Sequence, residues 1–187
     1  MSAITDVAGY NKFCEEKLNE LDIGILALNA GVWEEGPLDL VEDAKIERTL
    51  NINVLHVVYL YKALVQKMRA RDIKSACLIT SSGLANATWP GLALYCSSKA
   101  LVSAFSNCVH FEAKDKIDVT CWEAGPSPTN LGNQRENGKE KPPAFIMSSC
   151  EDAVRGALAH LGRYRVTEGT MKHGMLFFPP ADLMGKK

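Results

Sequence analysis

The chain has 187 residues, 47% of them hydrophobic, which is the length of one compact domain with apolar surface enough for its own core. Lys and Arg number 21 against 22 Asp and Glu, and a net charge of -1 gives no global field toward nucleic acid or an anionic membrane. The longest apolar stretches, Ile23 to Leu28 and Val54 to Tyr61, fall far short of the roughly 20 residues that span a bilayer, and no secretory signal opens the chain.

In chain order, Thr5 and Asp6 suit the cap of a helix whose apolar positions Val7, Tyr10, Cys14, Leu18 and Leu21 recur at helical spacing. Asp22 to Leu28 is a short apolar run ended by Asn29, Ala30 and Gly31, the pattern of a buried parallel strand and a tight turn. Pro37 to Arg48 predicts a short helix. Asn53 to Arg71 predicts a longer one, with Val54, Val57, Val58, Tyr61, Val65 and Met68 in one stripe and Leu55, Leu60 and Leu64 on a second apolar side.

Ala76 to Thr80 reads as a strand, and Tyr95 to Lys114 as a helix with Leu101, Ala104, Phe105, Cys108 and Val109 inward. Ile117 to Trp122 is a third strand. A turn-rich segment from Gly125 to Pro143, dense in both charge signs at Gln134 to Lys141, fits a solvated loop or a lid. A helix near Glu151 to Leu161 and an apolar end around Met175 to Phe178 follow. The alternation predicts an α/β fold, a parallel sheet with helices on both faces, in a single domain over residues 1–187.

Six cysteines (Cys14, Cys77, Cys96, Cys108, Cys121, Cys150) stand singly with no CxxC pair, and the four histidines (His56, His110, His160, His173) share no metal-ligand spacing. Reduced thiols in an intracellular compartment are expected, with cytoplasm, organelle matrix and endoplasmic-reticulum surface left open. The triplet Asn86, Ala87, Thr88 satisfies a glycosylation sequon without other support for secretion.

Ligands of open α/β sheets bind beyond the carboxyl ends of the strands. There the second strand ends in Thr80, Ser81, Ser82, Gly83, and thirteen residues past Ser82 comes Tyr95, with Lys99 one helical turn further on the same face. An ammonium that close favours phenolate over phenol and makes Tyr95 a usable acid or base, while a Ser hydroxyl can donate to a carbonyl oxygen.

Asn29-Ala30-Gly31, Asn53, Ser81-Ser82 and Tyr95 to Lys99, in that order, resemble the short-chain dehydrogenase/reductase family over nearly the whole chain. The resemblance implies a truncated Rossmann-like sheet and a catalytic tetrad. Asn53 would hold a relay water, Ser82 would polarise the carbonyl, Tyr95 would be the acid/base, and Lys99 would tune Tyr95 and contact the nicotinamide ribose. Cofactor contacts would come from Asn29, Ala30, Gly31, Tyr95, Lys99 and Thr129, for NADP or NAD. Leu28 stands where the family has a further Asn, and Ala124-Gly125 where it has Pro-Gly. The stretches Leu21 to Leu26, Asn51 to Leu55 and Lys141 to Gly174 resemble the 3-ketoacyl-CoA reductase and 17β-hydroxysteroid dehydrogenase branch, whose members reduce long acyl or steroid ketones with NADPH.

The family's amino-terminal Gly-rich loop has no counterpart, since neither TGxxxGxG nor GxGxxG occurs. The isolated chain is therefore expected not to bind NAD(P)H, and the strand of Ile23 to Leu28 is expected to form an open edge. Another polypeptide supplies the missing half, or a partner caps the surface, or the chain is part of a longer product. A non-catalytic structural or assembly subunit is the alternative function. By the resemblance, the helices 53–71 and 95–114 would form a homodimer or other protein contact. Lys186 and Lys187 resemble a dilysine signal without the two residues that follow it.

Overall fold

The computed structural model describes residues 7–133 and 143–177. Its elements are α1 (Val7–Lys17), β1 (Ile25–Leu28), α2 (Asp43–Leu50), α3 (His56–Arg69), β2 (Ser75–Thr80), α4 (Ala93–Ala113), β3 (Ile117–Trp122), α5 (Asn130–Asn133), α6 (Cys150–His160), β4 (Val166–Thr167) and α7 (Met171–Phe177). The four strands lie parallel in the order β1-β2-β3-β4, the α/β arrangement that the alternation predicts. Thr5, Asp6, residues 134–142 of the turn-rich segment and the terminal lysines lie outside the described residues.

Successive side chains of a strand face opposite sides, so the parallel register sorts the core into two layers. Leu28, Cys77, Ile79, Ile117 and Val119 face the side covered by α3 and α4, where Val57, Tyr61, Leu64, Met68, Val102 and Val109 close the main core. On the other side a smaller cluster joins Leu78 and Trp122 to Ala153 and Ala157 of α6. The approach of α6 requires small residues: a Cβ on Gly156 would lie 1.6 Å from the Gly169 carbonyl oxygen.

Three expectations change. The α4 stripe is displaced, because Leu101, Ala104 and Cys108 are exposed while Ser98, Ser103 and Ser106 turn inward beside Val102 and Val109. Small hydroxyl side chains let this helix approach the strand ends, and Ser98 and Ser103 meet partners there. The second side of α3 is not left bare: α1 lies on it, with Tyr10 and Tyr59 rings 5.4 Å apart and Lys67 donating to the Leu18 carbonyl. Leu64 is buried, and Leu55 and Leu60 are half-buried. The single helix expected at 37–48 is a 3-10 turn at Leu38–Leu40 followed by α2.

Among the described residues the sheet ends at β1. Ile25 is 63% exposed, Ala27 is exposed too, and β1 pairs only with β2 among the described residues. The six cysteines form no disulfide. Among the described residues no helix is long and apolar enough to cross a membrane, and no group of His, Cys, Asp and Glu is arranged to hold a metal ion.

Candidate active site

The carboxyl ends of β1 and β2 and the first turns of α4 bring the sequence-derived residues to one end of the sheet. Asn53 sits in a π-helical turn, Asn51–Leu55, inserted between α2 and α3. Such a turn widens the helix and is frequent at functional sites. The side chain is fully buried and fully used. Its Oδ1 accepts from Val32 N at 2.8 Å, and its Nδ2 donates to Val32 O at 3.0 Å and to Ser98 Oγ at 3.1 Å. One amide therefore ties the loop after β1 to α4.

Lys99 reaches the same place from α4. Its ammonium donates to the Thr80 carbonyl at 3.1 Å and lies 6.0 Å from the centre of the Tyr95 ring. Burial lowers its pKa to about 8, with the Cys121 thiol acting weakly in the opposite sense. Both groups close on Gly31: a Cβ there would stand at ordinary contact distance, 3.4 Å from Lys99 Nζ and 3.6 Å from Asn53 Oδ1. Side chain is absent where the two polar groups meet the backbone of the β1 loop.

Tyr95 is buried, and its ring lies 4.5 Å from that of Trp33, tilted by 44°. Ser82 is buried at the end of β2, where its Oγ accepts from Leu84 N at 3.2 Å and starts a 3-10 turn, Gly83–Asn86, that packs on α4. Asn29 accepts from Thr80 Oγ1 at 2.9 Å, which fixes the β1 turn to β2. Ala30 and Thr129 are exposed, Thr129 in the loop after β3. The site thus gathers Asn53, Lys99 and Gly31 closely, places Tyr95 and Ser82 on the adjoining elements, and leaves Thr129 on the rim.

Several participants carried no legible signal. Trp33 is an isolated aromatic in a polar loop. Ser98 lay inside the Tyr95 to Lys99 motif, but its bond to Asn53 depends on tertiary placement. A third group links the strand ends: Ser81 Oγ donates to the Lys99 carbonyl at 2.8 Å, Ser103 Oγ lies 2.8 Å from Ser81 Oγ, and Glu123 Oε1 lies 2.9 Å from Ser103 Oγ. Gly125, just beyond Glu123, lies flat on His173 of α7, since a Cβ there would come within 2.3 Å of the imidazole.

The residues fit the nicotinamide-ribose end of a dinucleotide in one respect: the bare Gly31 backbone faces a buried ammonium. They do not provide its pyrophosphate end, because among the described residues no Gly-rich turn leads from a strand into a helix N-terminus.

The sequence pattern of the short chain dehydrogenase family matches residues 1–140. Zebrafish (Danio rerio) 17-beta-hydroxysteroid dehydrogenase type 3 is 29% identical over 168 residues, 86% of this chain and 52% of its own length. Mouse (Mus musculus) very-long-chain 3-oxoacyl-CoA reductase is 31% identical over 164 residues, 85% of this chain and 50% of its own length. The chain thus spans about half the length of these relatives. Among solved structures, the 3-ketoacyl-(acyl-carrier-protein) reductase of Brucella melitensis complexed with NADH superposes with a TM-score of 0.75 at 21% identity, covering 88% of this chain and 72% of that one. With the family pattern matching most of its residues, the chain belongs to the short-chain dehydrogenase family.

Proposed function

We propose that the chain carries the proton-transfer part of a ketone reductase site for long acyl or steroid ketones, and that another polypeptide completes its dinucleotide site. The observation that carries this reading is the convergence of buried Lys99 and Asn53 on the bare backbone of Gly31. NADP or NAD, when bound, supplies the hydride. The Tyr95 hydroxyl gives its proton to the developing alkoxide, Ser82 donates a hydrogen bond to the same oxygen, and the Lys99 ammonium restores the Tyr95 proton. Asn29, Ala30, Gly31 and Thr129 would border the nicotinamide side, while Asn53 fixes the β1 loop against α4 and, by the family resemblance, would hold a relay water. The named activities of the two relatives, on 3-oxoacyl-CoA and 17-beta-hydroxysteroids, support the substrate class.

The bare sheet beside β1 favours a second polypeptide that covers the 23–28 edge. The exposed α4 side chains Leu101, Cys108 and Phe111 favour a further contact with a second copy, with α1 rather than a partner helix over much of α3. A non-catalytic assembly subunit is the alternative that this same edge favours. Supplying the amino-terminal half of a very-long-chain 3-oxoacyl-CoA reductase in trans tests the reading. NADPH-dependent reduction of a 3-oxoacyl-CoA that disappears with Tyr95→Phe supports catalysis. A complex that binds NADPH yet reduces neither acyl nor steroid ketones supports the assembly role instead.

A further inference from the structure

Glu123 is a carboxyl group with 4% exposure, directly after β3, where no part of the proposed mechanism uses it. Its hydrogen bonds do not balance if it is ionised. The chain Glu123 Oε1, Ser103 Oγ, Ser81 Oγ and Lys99 carbonyl contains three short contacts of 2.9, 2.8 and 2.8 Å. Each needs one proton, and a serine hydroxyl has only one to give. The Ser81 proton is committed to the Lys99 carbonyl, which can only accept. The Ser103 proton can then serve Ser81 or Glu123, not both. With a carboxylate, one contact of 2.8 or 2.9 Å would set lone pair against lone pair in a buried site.

We propose that Glu123 is the un-ionised acid in the folded protein and donates its proton to Ser103, so that Glu123, Ser103, Ser81 and the Lys99 carbonyl form one directed chain. Its second oxygen, Oε2, remains to accept from Asn86 Nδ2 at 3.4 Å. The surroundings favour the neutral form. Burial is the largest influence raising the carboxyl's pKa, and the Glu168 carboxylate adds to it, while hydrogen bonds from Ser103 and Asn86 oppose them. From β3, the Cys121 thiol is itself pushed up to about 11, so it is neutral beside Glu123 at neutral pH. On α4, the Lys99 ammonium acts on Cys121. A cavity of about 520 Å³, lined by Glu123, Ser103, Asn107 and Glu168 among others, gives solvent a route for exchanging that proton.

The chain joins three elements that the proposed site depends on. Glu123 begins the loop that carries Gly125 and Thr129, Ser81 precedes Ser82, and Ser103 lies one turn beyond Lys99. Glu123 is thus a positioning residue, and the proton holds the ends of β2 and β3 to the Lys99 turn of α4. Its catalytic consequence rests on the oxidoreductase reading, whereas the protonation state does not.

The test is carboxyl-carbon NMR of the full chain labelled with 13C at glutamate, assigned with Glu123→Gln. The expected result is a Glu123 signal of the un-ionised acid at neutral pH, titrating above the ordinary glutamate range, with the backbone amides of Lys99 to Ser103 moving at the same midpoint. Glu123→Gln, whose amide N–H can replace the acid proton, should keep the fold and abolish that movement. A carboxylate signal at neutral pH overturns the proposal, and so does a midpoint in the ordinary range. A raised midpoint with no response at Lys99 to Ser103 overturns the positioning role. None of these readings requires turnover, so failure of the reductase reading registers separately, in Tyr95→Phe.

Discussion

The two sides of the sheet differ in what they bury. Under α3 and α4, strand residues such as Ile79 and Ile117 have no exposed surface, and the helices there bring Asn53 and Lys99 together. On the opposite side α6 covers Leu78 and Trp122, but among the described residues the sheet ends at β1, with Ile25 and Ala27 exposed. A strand with one unpaired edge and one uncovered face recruits other chains. In the proposed function, the proton-transfer residues sit on the covered side of the sheet, and the dinucleotide's pyrophosphate end would lie beside the β1 edge.

The largest effect that would sharpen this contrast is on turnover. In the complex complemented in trans, Tyr95→Phe should lower kcat by about 10²- to 10⁴-fold, the usual contribution of a positioned acid. Steady-state NADPH oxidation checks it, and a kcat within a few fold of the parent breaks the assignment.

Next is packing on the covered part of the second side. Gly156→Ala, whose Cβ would meet the Gly169 carbonyl at 1.6 Å, should cost about 3 kcal/mol or more, read as a lower urea midpoint at unchanged slope. A smaller loss would mean that α6 can move away from the 169 turn.

Lys99 gives a pH signature on the covered side. Its folded pKa of about 8 lies below the unfolded value of about 10.4, so the unfolded chain binds more protons between the two. Stability from this group therefore rises with pH across that window and is flat below it, by up to about 3 kcal/mol. Lys99→Met should remove this component. Urea midpoints of the parent and the variant from pH 7.5 to 10 measure it, and parallel curves would contradict the burial argument.

A smaller effect lies on the acid side. Burial lowers the pKa of both His56 and His173, so each must take up a proton less readily when folded than when unfolded. Stability should fall as pH drops below the unfolded histidine value of about 6.5, and His173→Asn should weaken that dependence.

Legibility in the sequence follows the same division. β3 appears at its predicted bounds, Ile117–Trp122, because apart from half-buried Asp118 it is a run of buried apolar or β-branched residues. β4, the pair Val166–Thr167, is too short to show a period. The π-helical turn at Asn53 leaves no compositional mark. The inward face of α4 is not legible because Ser98, Ser103 and Ser106 look solvent-facing in sequence, and the partners of Ser98 and Ser103, Asn53 and Glu123, come from other elements. Asn29 to Gly31, Ser82, Tyr95 and Lys99 were legible as an ordered set, whereas Trp33 and Glu123 were not, since their roles come from contacts across the fold.

The smallest expected stability effect is on the bare side: Ile25→Glu should change the folding free energy by within about 0.5 kcal/mol, because the side chain is already 63% exposed. Self-association should nevertheless decrease. A large loss of stability would show that the face is covered within the chain.

The central claim is that the proton-transfer residues stand complete while the dinucleotide cradle comes from elsewhere. Titrating NADPH into the purified full-length chain, following the cofactor's fluorescence, tests it most directly. The account predicts no saturation with the chain alone and saturation once the complementing half is added. Saturable micromolar binding by the chain alone would contradict it.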